Sequence, residues 1–345
     1  MMETFRKLVE LTRGPLVESI HFGVLTVVDS SGRLVASAGD PDFIANLRST
    51  AKPFQALSFV EAGGVEQFGL TDEELAILCA SHSGTDAHGA VLRSIQAKVG
   101  VTEANLMCGV HYPYDEKTTQ AMRLRGEKPT PNRHNCSGKH TGMLANALLH
   151  GYPIEDYLNT EHPLQKLILR TFAEMTAQAP EDVPVGIDGC SAPTFAAPMR
   201  AAAHAYALLA DPVGLPEPRA AALRRIYAAM TSYPVMVNGP ETWDTDVMLA
   251  TGGAVLSKAG AEGYQGLAVA PGTLGAGSPG LGIVMKVIDG DLSGRARPTI
   301  GLAVLRRLGA VNDEQTARLS RYDTRVLNNW RGLDVGIIRA AFDWN

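Results

Sequence analysis

Strand-forming runs are confined to the two ends of this 345-residue chain, and helical periodicity fills nearly everything between them. Near the start, residues 22–29 and 33–38 are rich in β-branched and alternating apolar residues. They flank Ser30-Ser31-Gly32, where the glycine can take the positive φ that a tight turn demands, so they read as a hairpin. Strand signals then nearly vanish. From Pro53 to about Asp246 the pattern is mostly helical. Thr71-Asp72-Glu73-Glu74 reads as a capping box, in which threonine and glutamate each take up a free backbone N–H of the other. Helices are predicted over 86–98, with Gly100 as stop, and over 138–149, 162–177 and 219–230. One extended interruption falls at 183–187. Strands return at 253–257, 265–269 and 282–288, each bounded by turn residues. A helix over 299–308 and a weaker strand-like run at 335–338 follow.

Ends that make strands and a middle that makes helices leave one economical architecture, an α+β fold. Residues 1–52 and 250–345 would build a single antiparallel sheet. A mainly helical part, 53–249, would be inserted between them, the whole chain 1–345 forming one catalytic unit.

Composition narrows the partners. The chain has 31 Lys and Arg against 36 Asp and Glu, and its formal charge of −5 is spread without a basic block. Nucleic acid and membrane surfaces therefore have no electrostatic footprint on it. No window approaches the roughly 20 apolar residues needed to cross a bilayer. Residues 1–13 lack the apolar stretch of a signal peptide. The four cysteines, Cys79, Cys108, Cys136 and Cys190, are too few for a disulfide scaffold and read as reduced thiols. The expected compartment is the cytoplasm.

Several short motifs can carry chemistry, and each also has an ordinary structural reading. Ser49-Thr50-Ala51-Lys52 places a hydroxyl and an amine at i, i+3, on one face of a helix. Serine is a nucleophile only when a base removes its proton, and an unprotonated lysine can be that base. The same four residues also fit a helix cap and a solvated lysine. Pro53 disfavours helical geometry at Lys52, so an irregular first turn is expected. Ser81, His82 and Ser83 precede Gly84 and read either as polar site residues or as a helix stop with Gly84 in the last cap. The run from Asn132 to His140 concentrates Arg133, His134, Cys136, Lys139 and His140 ahead of an apolar helix, which favours a functional loop. Asp188-Gly189-Cys190 follows the extended interruption. Cys136 and Cys190 can share a soft metal or pack as two buried thiols. Lys258 ends a predicted strand.

In combination these segments resemble the rhizobial-type asparaginase family, asparaginase II. The resemblance is carried by Arg13 to Ser19, Arg48 to Leu57, Ala80 to Gly84, Cys108-Gly109-Val110-His111, Asn132 to Met143, Asp188 to Cys190, Lys258 to Gly263 and Gly280 to Gly290. It implies a fold similar to the serine β-lactamases and penicillin-binding proteins, whose Lys-Thr-Gly strand motif is loosely echoed by Lys258-Ala259-Gly260. It implies two Ser–Lys tandems, Ser49 with Lys52 and Ser81 with Lys258. It implies a zinc ion on Cys136, Lys139 and Cys190, with Asp188 orienting the lysine amine or completing the site. Arg48, His134 and Asn135 are the residues expected to grip the substrate. One position departs from the pattern: Thr85 follows Gly84 where the family carries glutamate.

The implied reaction is hydrolysis of L-asparagine to L-aspartate and ammonia through a β-aspartyl ester on serine, with the backbone N–H of Ser49 or Ser81 facing the oxyanion. Competing readings are another serine amidohydrolase (a glutaminase, an esterase or a β-lactam-type enzyme) and a non-catalytic zinc-binding protein on the same scaffold. A homodimer is the expected assembly, two-fold pairs being the commonest.

Overall fold

Both ends of the chain enter one sheet. The computed structural model describes residues 4–344. Its strands are β1 Arg6–Arg13, β2 Leu16–Asp29, β3 Leu34–Ala38, β4 Ile44–Asn46, β5 Val185–Ile187, β6 Pro193–Pro198, β7 Val255–Ala259, β8 Tyr264–Val269, β9 Leu281–Val287, β10 Arg325–Asn328 and β11 Asp334–Ala340. Eight of them form a sheet in the order β10-β11-β1-β2-β9-β8-β7, with β3 on β2. Neighbours in it are antiparallel. The predicted α+β class therefore holds, and the hairpin read at residues 22–38 is the β2–β3 pair, with Leu25 opposite Ala38.

β1 was not foreseen as a strand because its charges mask its pattern. Leu8, Val9 and Leu11 are buried, and so is Glu10. Lys7 and, across the strand pair, Arg339 donate to the Glu10 carboxylate at 2.7 and 2.6 Å. These two hydrogen bonds, Lys7's the larger, hold its pKa below the usual glutamate value against the effect of burial. A buried charge is tolerated when it is paired in this way.

The chain separates into two compact units, residues 1–45, 197–213 and 246–345 in one, residues 46–196 and 214–245 in the other. Segment 197–213 lies with the sheet although the sequence pattern placed it in the helical part. Its helix, Met199–Ala210, packs on β2, β8 and β9. Ala202, Ala203, Ala205 and Ala207 are all fully buried there, and side chains this small let helix and sheet approach closely.

The helical unit is organised around Lys52–Glu61, which packs against Ser137–Leu149, Pro163–Met175 and Glu217–Ser232. Phe54, Leu57, Phe59 and Val60 are buried, so this helix is covered nearly all round. The capping box at Thr71 opens the helix Asp72–Leu78 as expected, and Asp86–Val99 ends on Gly100 in the left-handed conformation. No helix among the described residues is long and apolar enough to cross a membrane.

Candidate active site

Arg48–Ala51 forms a single 3₁₀ turn, and the α-helix begins at Lys52. The irregular first turn expected from Pro53 is present, yet Lys52 itself keeps helical angles, φ −59° and ψ −39°. Arg48 has φ +51°, a left-handed conformation that costs a residue with a Cβ about 1–2 kcal/mol. Strain of this kind persists only where the surroundings impose it, and it falls on the residue before Ser49. Here the guanidinium is tied to Asp188, with Nε at 2.9 Å and Nη2 at 2.7 Å from Oδ1.

Lys52 is buried, and its Nζ lies 2.5 Å from the Ala80 carbonyl, 2.8 Å from Ser81 Oγ and 3.2 Å from Cys136 Sγ. Its hydrogen bonds thus run to the second serine and to a cysteine rather than to Ser49, three residues earlier in the chain. A protonated amine fills all three directions by donating. A neutral one keeps two donors for Ala80 and Cys136 and turns its lone pair to the Ser81 hydroxyl, which is the arrangement a general base requires. Ser49 and Ser81 are both half-buried.

The Ser81 loop is fastened from several sides. Ser81 N–H donates to the Val237 carbonyl at 2.9 Å, so of the two amides expected to face an oxyanion this one is already committed. His82 Nδ1 accepts from Gly84 N–H, which leaves Nε2–H to donate to Ser137 Oγ at 2.8 Å. The His82 and His88 rings stack with centroids 4.9 Å apart. Burial, followed for His82 by the neighbouring His88, holds both below the usual histidine pKa. Gly84 has φ +76°, and a Cβ there would lie 2.7 Å from the Arg133 carbonyl, so only glycine fits. It does not stop the preceding helix, which ends at Leu78. Thr85 caps the next helix instead, its Oγ1 accepting from His88 N–H. That accounts structurally for threonine where glutamate was expected.

Cys136 immediately precedes the helix Ser137–Leu149, and Lys139 lies three residues on, on the same face. In the first turn of this helix a Cβ at Gly138 would stand 2.0 Å from the Ile77 carbonyl, so glycine is what lets the helix lie this close to Ile77. Cys190 arrives on the turn joining β5 to β6, closed by Asp188 N–H to the Ala192 carbonyl and by Ser191 at φ +69°. Lys139 Nζ is 2.9 Å from Cys190 Sγ, and Cys136, Lys139 and Cys190 are all buried. A hydrogen bond from Cys190 pulls the Cys136 thiol well below its ordinary pKa, against burial and with help from Lys52 and Lys139. The same bond, reinforced by burial, pushes Cys190 up. Burial alone would lower Lys139, but Cys190, Cys136 and Asp188 together hold it up.

Two sulfurs and one amine therefore converge in a dry pocket. Among the described residues no three His, Cys, Asp or Glu side chains gather, so Asp188 does not join Cys136 and Cys190 as a third ligand, and Cys136, Lys139 and Cys190 are the residues that would hold a zinc ion. The set fits the metal, thiolates being strong zinc ligands and the amine a nitrogen donor once deprotonated. Asp188 Oδ1 is occupied by Arg48 and by Gly189 N–H.

His134 Nδ1 accepts from Cys136 N–H at 3.0 Å, and Asn135 is held by His111, whose Nε2 accepts the Asn135 N–H at 3.2 Å. The His111 ring stacks on the exposed Tyr114 and tilts against His134. His111 stood in the quoted Cys108–His111 segment without a role, and its contact with Asn135 is what the sequence did not disclose. Arg48, Ser49, Lys52, Ser81, His134, Asn135, Cys136, Lys139, Asp188 and Cys190 all belong to the helical unit. Lys258 belongs to the sheet unit, buried on β7 with its Nζ on the Ala259 carbonyl. All four cysteines are free and buried, and burial raises the Cys108 pKa to about 12.

A comparison with curated proteins finds no match. Among solved structures, a Bacillus glutaminase in the presence of 4.3 M NaCl overlaps 83% of this chain and 89% of its own, at 12% identity and a TM-score of 0.39. A probable glutaminase from Bacillus subtilis, complexed with 6-diazo-5-oxo-L-norleucine, overlaps 83% of this chain and 82% of its own, at 13% identity and the same TM-score of 0.39. Likeness at that level carries no argument about substrate. The sequence profile of the family described as L-asparaginase II, by contrast, matches residues 9–340. The chain belongs to the L-asparaginase II family, and its activity is of the amide-hydrolysing, asparaginase type.

Proposed function

We propose that this protein hydrolyses L-asparagine to L-aspartate and ammonia by way of a serine ester. Ser49 Oγ attacks the side-chain amide carbon and its proton passes to neutral Lys52. The C–N bond then breaks as that proton moves to the leaving nitrogen, releasing ammonia. Water attacks the β-aspartyl ester, gives a proton back through Lys52 to the serine, and frees aspartate. The observation that carries a lysine base is the buried Lys52 Nζ held 2.8 Å from the Ser81 hydroxyl, with Ser49 three residues before Lys52 in the chain. The same distance favours a second reading in which Ser81 is acylated and Ser49 assists. Quenching the enzyme with asparagine and mapping the aspartyl adduct by mass spectrometry separates the two: the adduct belongs on the peptide carrying Ser49, and its appearance on Ser81 exchanges the roles.

Arg48, His134 and Asn135 are assigned to the substrate, Arg48 through its guanidinium to the α-carboxylate. Zinc on Cys136, Lys139 and Cys190, with Asp188 beside them, would anchor the pocket wall. When bound it supplies a fixed positive charge; the proton transfers remain with Lys52. A cytoplasmic homodimer completes the reading. Glutamine is the competing substrate, and the ratio of ammonia release from the two amides decides between them.

A further inference from the structure

The loop that carries Ser81 rests on a segment far along the chain. After the helix Glu217–Ser232 comes one further helical turn, Pro234–Val237. The chain leaves it in non-helical conformations, Asn238 at φ −135° and ψ −55°, Gly239 at φ +142°. This segment belongs to the same compact unit as Ser81.

Three contacts join the two. Ser81 N–H donates to the Val237 carbonyl at 2.9 Å. His88 Nδ1 accepts from Thr85 N–H, so its Nε2–H donates to the Val235 carbonyl, also at 2.9 Å. The third contact is steric. A Cβ at Gly239 would stand 2.1 Å from Ser83 Oγ, a buried hydroxyl with no hydrogen-bond partner among the described residues. Only glycine lets the backbone come this close.

The turn is fixed in its own right by the residues that follow it. Asp244 is fully buried and accepts from Asn238 Nδ2 at 3.0 Å. The buried Thr245 hydroxyl donates to the Gly239 carbonyl at 2.6 Å, with the Pro234 carbonyl 3.0 Å away. Asn238 is thus pinned by a carboxylate between two carbonyls that share one hydroxyl. From Asn238 a displacement reaches Ser81 through the adjoining Val237 carbonyl, and reaches Lys52 through the 2.8 Å bond from Ser81 Oγ.

We propose that Asn238 and Asp244 are positioning residues for the reaction. Their hydrogen bond sets the turn at Val237–Gly239, and through it the place of Ser81 relative to Lys52. The assignment rests on the reading that the Lys52–Ser81 pair takes part in the chemistry, and it holds whichever serine is acylated. A misplacement of about 1 Å costs on the order of a hundredfold in rate, so the effect belongs in kcat.

Steady-state ammonia release by the full-length chain tests it, with whichever of asparagine and glutamine the wild type prefers. The variants are Asn238→Ala, Asn238→Asp and the exchanged pair Asn238→Asp with Asp244→Asn; Ser81→Ala is the reference, and circular dichroism checks the fold. Asn238 is half-buried, so its single variants should fold. Asn238→Ala should lower kcat about tenfold or more with KM within about threefold of wild type. Asn238→Asp sets two carboxylates together and should lower kcat about a hundredfold. The exchanged pair rebuilds the bond with donor and acceptor reversed and should return to within about threefold of wild type. A merely structural bond would shift the denaturation midpoint and leave kcat of the folded protein unchanged. Wild-type kcat in both single variants overturns the positioning role. So does a raised KM with kcat intact, which makes Asn238 a substrate contact, or a folded exchanged pair as slow as Asn238→Asp. If the exchanged pair does not fold, the single variants decide. Wild-type turnover in Ser81→Ala removes the underlying reading and this role with it, whereas loss there beside wild-type kcat in the Asn238 variants removes this role alone.

Discussion

Lys52 Nζ is hydrogen-bonded to Ser81 Oγ at 2.8 Å, although the serine three residues from it in the chain is Ser49. The amine also lies 3.2 Å from Cys136 Sγ, so one buried amine joins the serine loop to the thiol pocket. Removing it should disturb both. Lys52→Ala is expected to lower kcat by about a thousandfold or more, and Lys52→Ala combined with Ser81→Ala to be little worse than Lys52→Ala alone, because members of one catalytic unit are non-additive. Multiplicative losses in the double variant would mean that the two side chains act independently.

The left-handed backbone at Arg48 makes an unusual stability forecast. Arg48→Ala loses the Asp188 ion pair and keeps the strain, whereas Arg48→Gly loses the pair and relieves the strain. Glycine should therefore be the more stable replacement by about 1 kcal/mol, the reverse of the order in a helix interior. Urea denaturation of the two variants measures this, and Ala equal to or above Gly would show that the turn relaxes without cost. If Arg48 also grips the α-carboxylate, both variants should raise KM for asparagine about tenfold or more.

Acid should destabilise the fold earlier than carboxylates alone would bring about. His82, His88 and His140 are buried and held below the ordinary histidine value of 6.5, in each case chiefly by burial. The folded state keeps them neutral while the unfolded chain takes up protons as pH falls below about 6.5, so their contribution is full above that pH and is lost below it. Each excluded proton lowers stability by about 1.4 kcal/mol per pH unit. Glu10, Glu74 and Asp29 are shifted down, so their contributions stay intact until the carboxylate range is reached. Denaturation midpoints should fall more steeply between about pH 6.5 and 5, where three histidines contribute, than between about 8 and 7, where the lowered Cys136 thiol gives a shallower slope of the same sign. A level midpoint down to about pH 5 would contradict the buried neutral histidines.

Metal content tests the thiol pocket. A zinc ion on Cys136, Lys139 and Cys190 must displace protons from Lys139 and Cys190, both of which hold them firmly in the metal-free arrangement. Zinc should therefore be lost on mild acidification, and Cys136→Ala or Cys190→Ala should abolish it. Elemental analysis of protein purified without chelator decides the matter: less than about a tenth of an equivalent of zinc per chain refutes the site. If the metal shapes the pocket, its removal should raise KM and leave part of kcat.

Much of the fold was legible because it rests on local signals. The capping box at Thr71, the stop at Gly100 and the hairpin at residues 22–38 each depend on neighbours in sequence, and each is present. β1 was not legible, since its buried Glu10 is neutralised by Arg339 from the far end of the chain. The helix Met199–Ala210 was missed for a related reason, its alanine-rich face gaining meaning only against the sheet. In the site, the cluster of reactive residues around Cys136 pointed to a functional loop. That Lys52 bonds Ser81, that Ser81 N–H is spent on Val237, and that His111 holds Asn135 are relations across long stretches of chain, and no spacing reveals them.

Serine-dependent hydrolysis of asparagine is measured as ammonia release from L-asparagine and from L-glutamine by the wild type and by Ser49→Ala. Turnover of asparagine should lie well above that of glutamine, and Ser49→Ala should lose at least about a thousandfold in kcat while remaining folded. Near-wild-type turnover in Ser49→Ala, or a clear preference for glutamine, would contradict it.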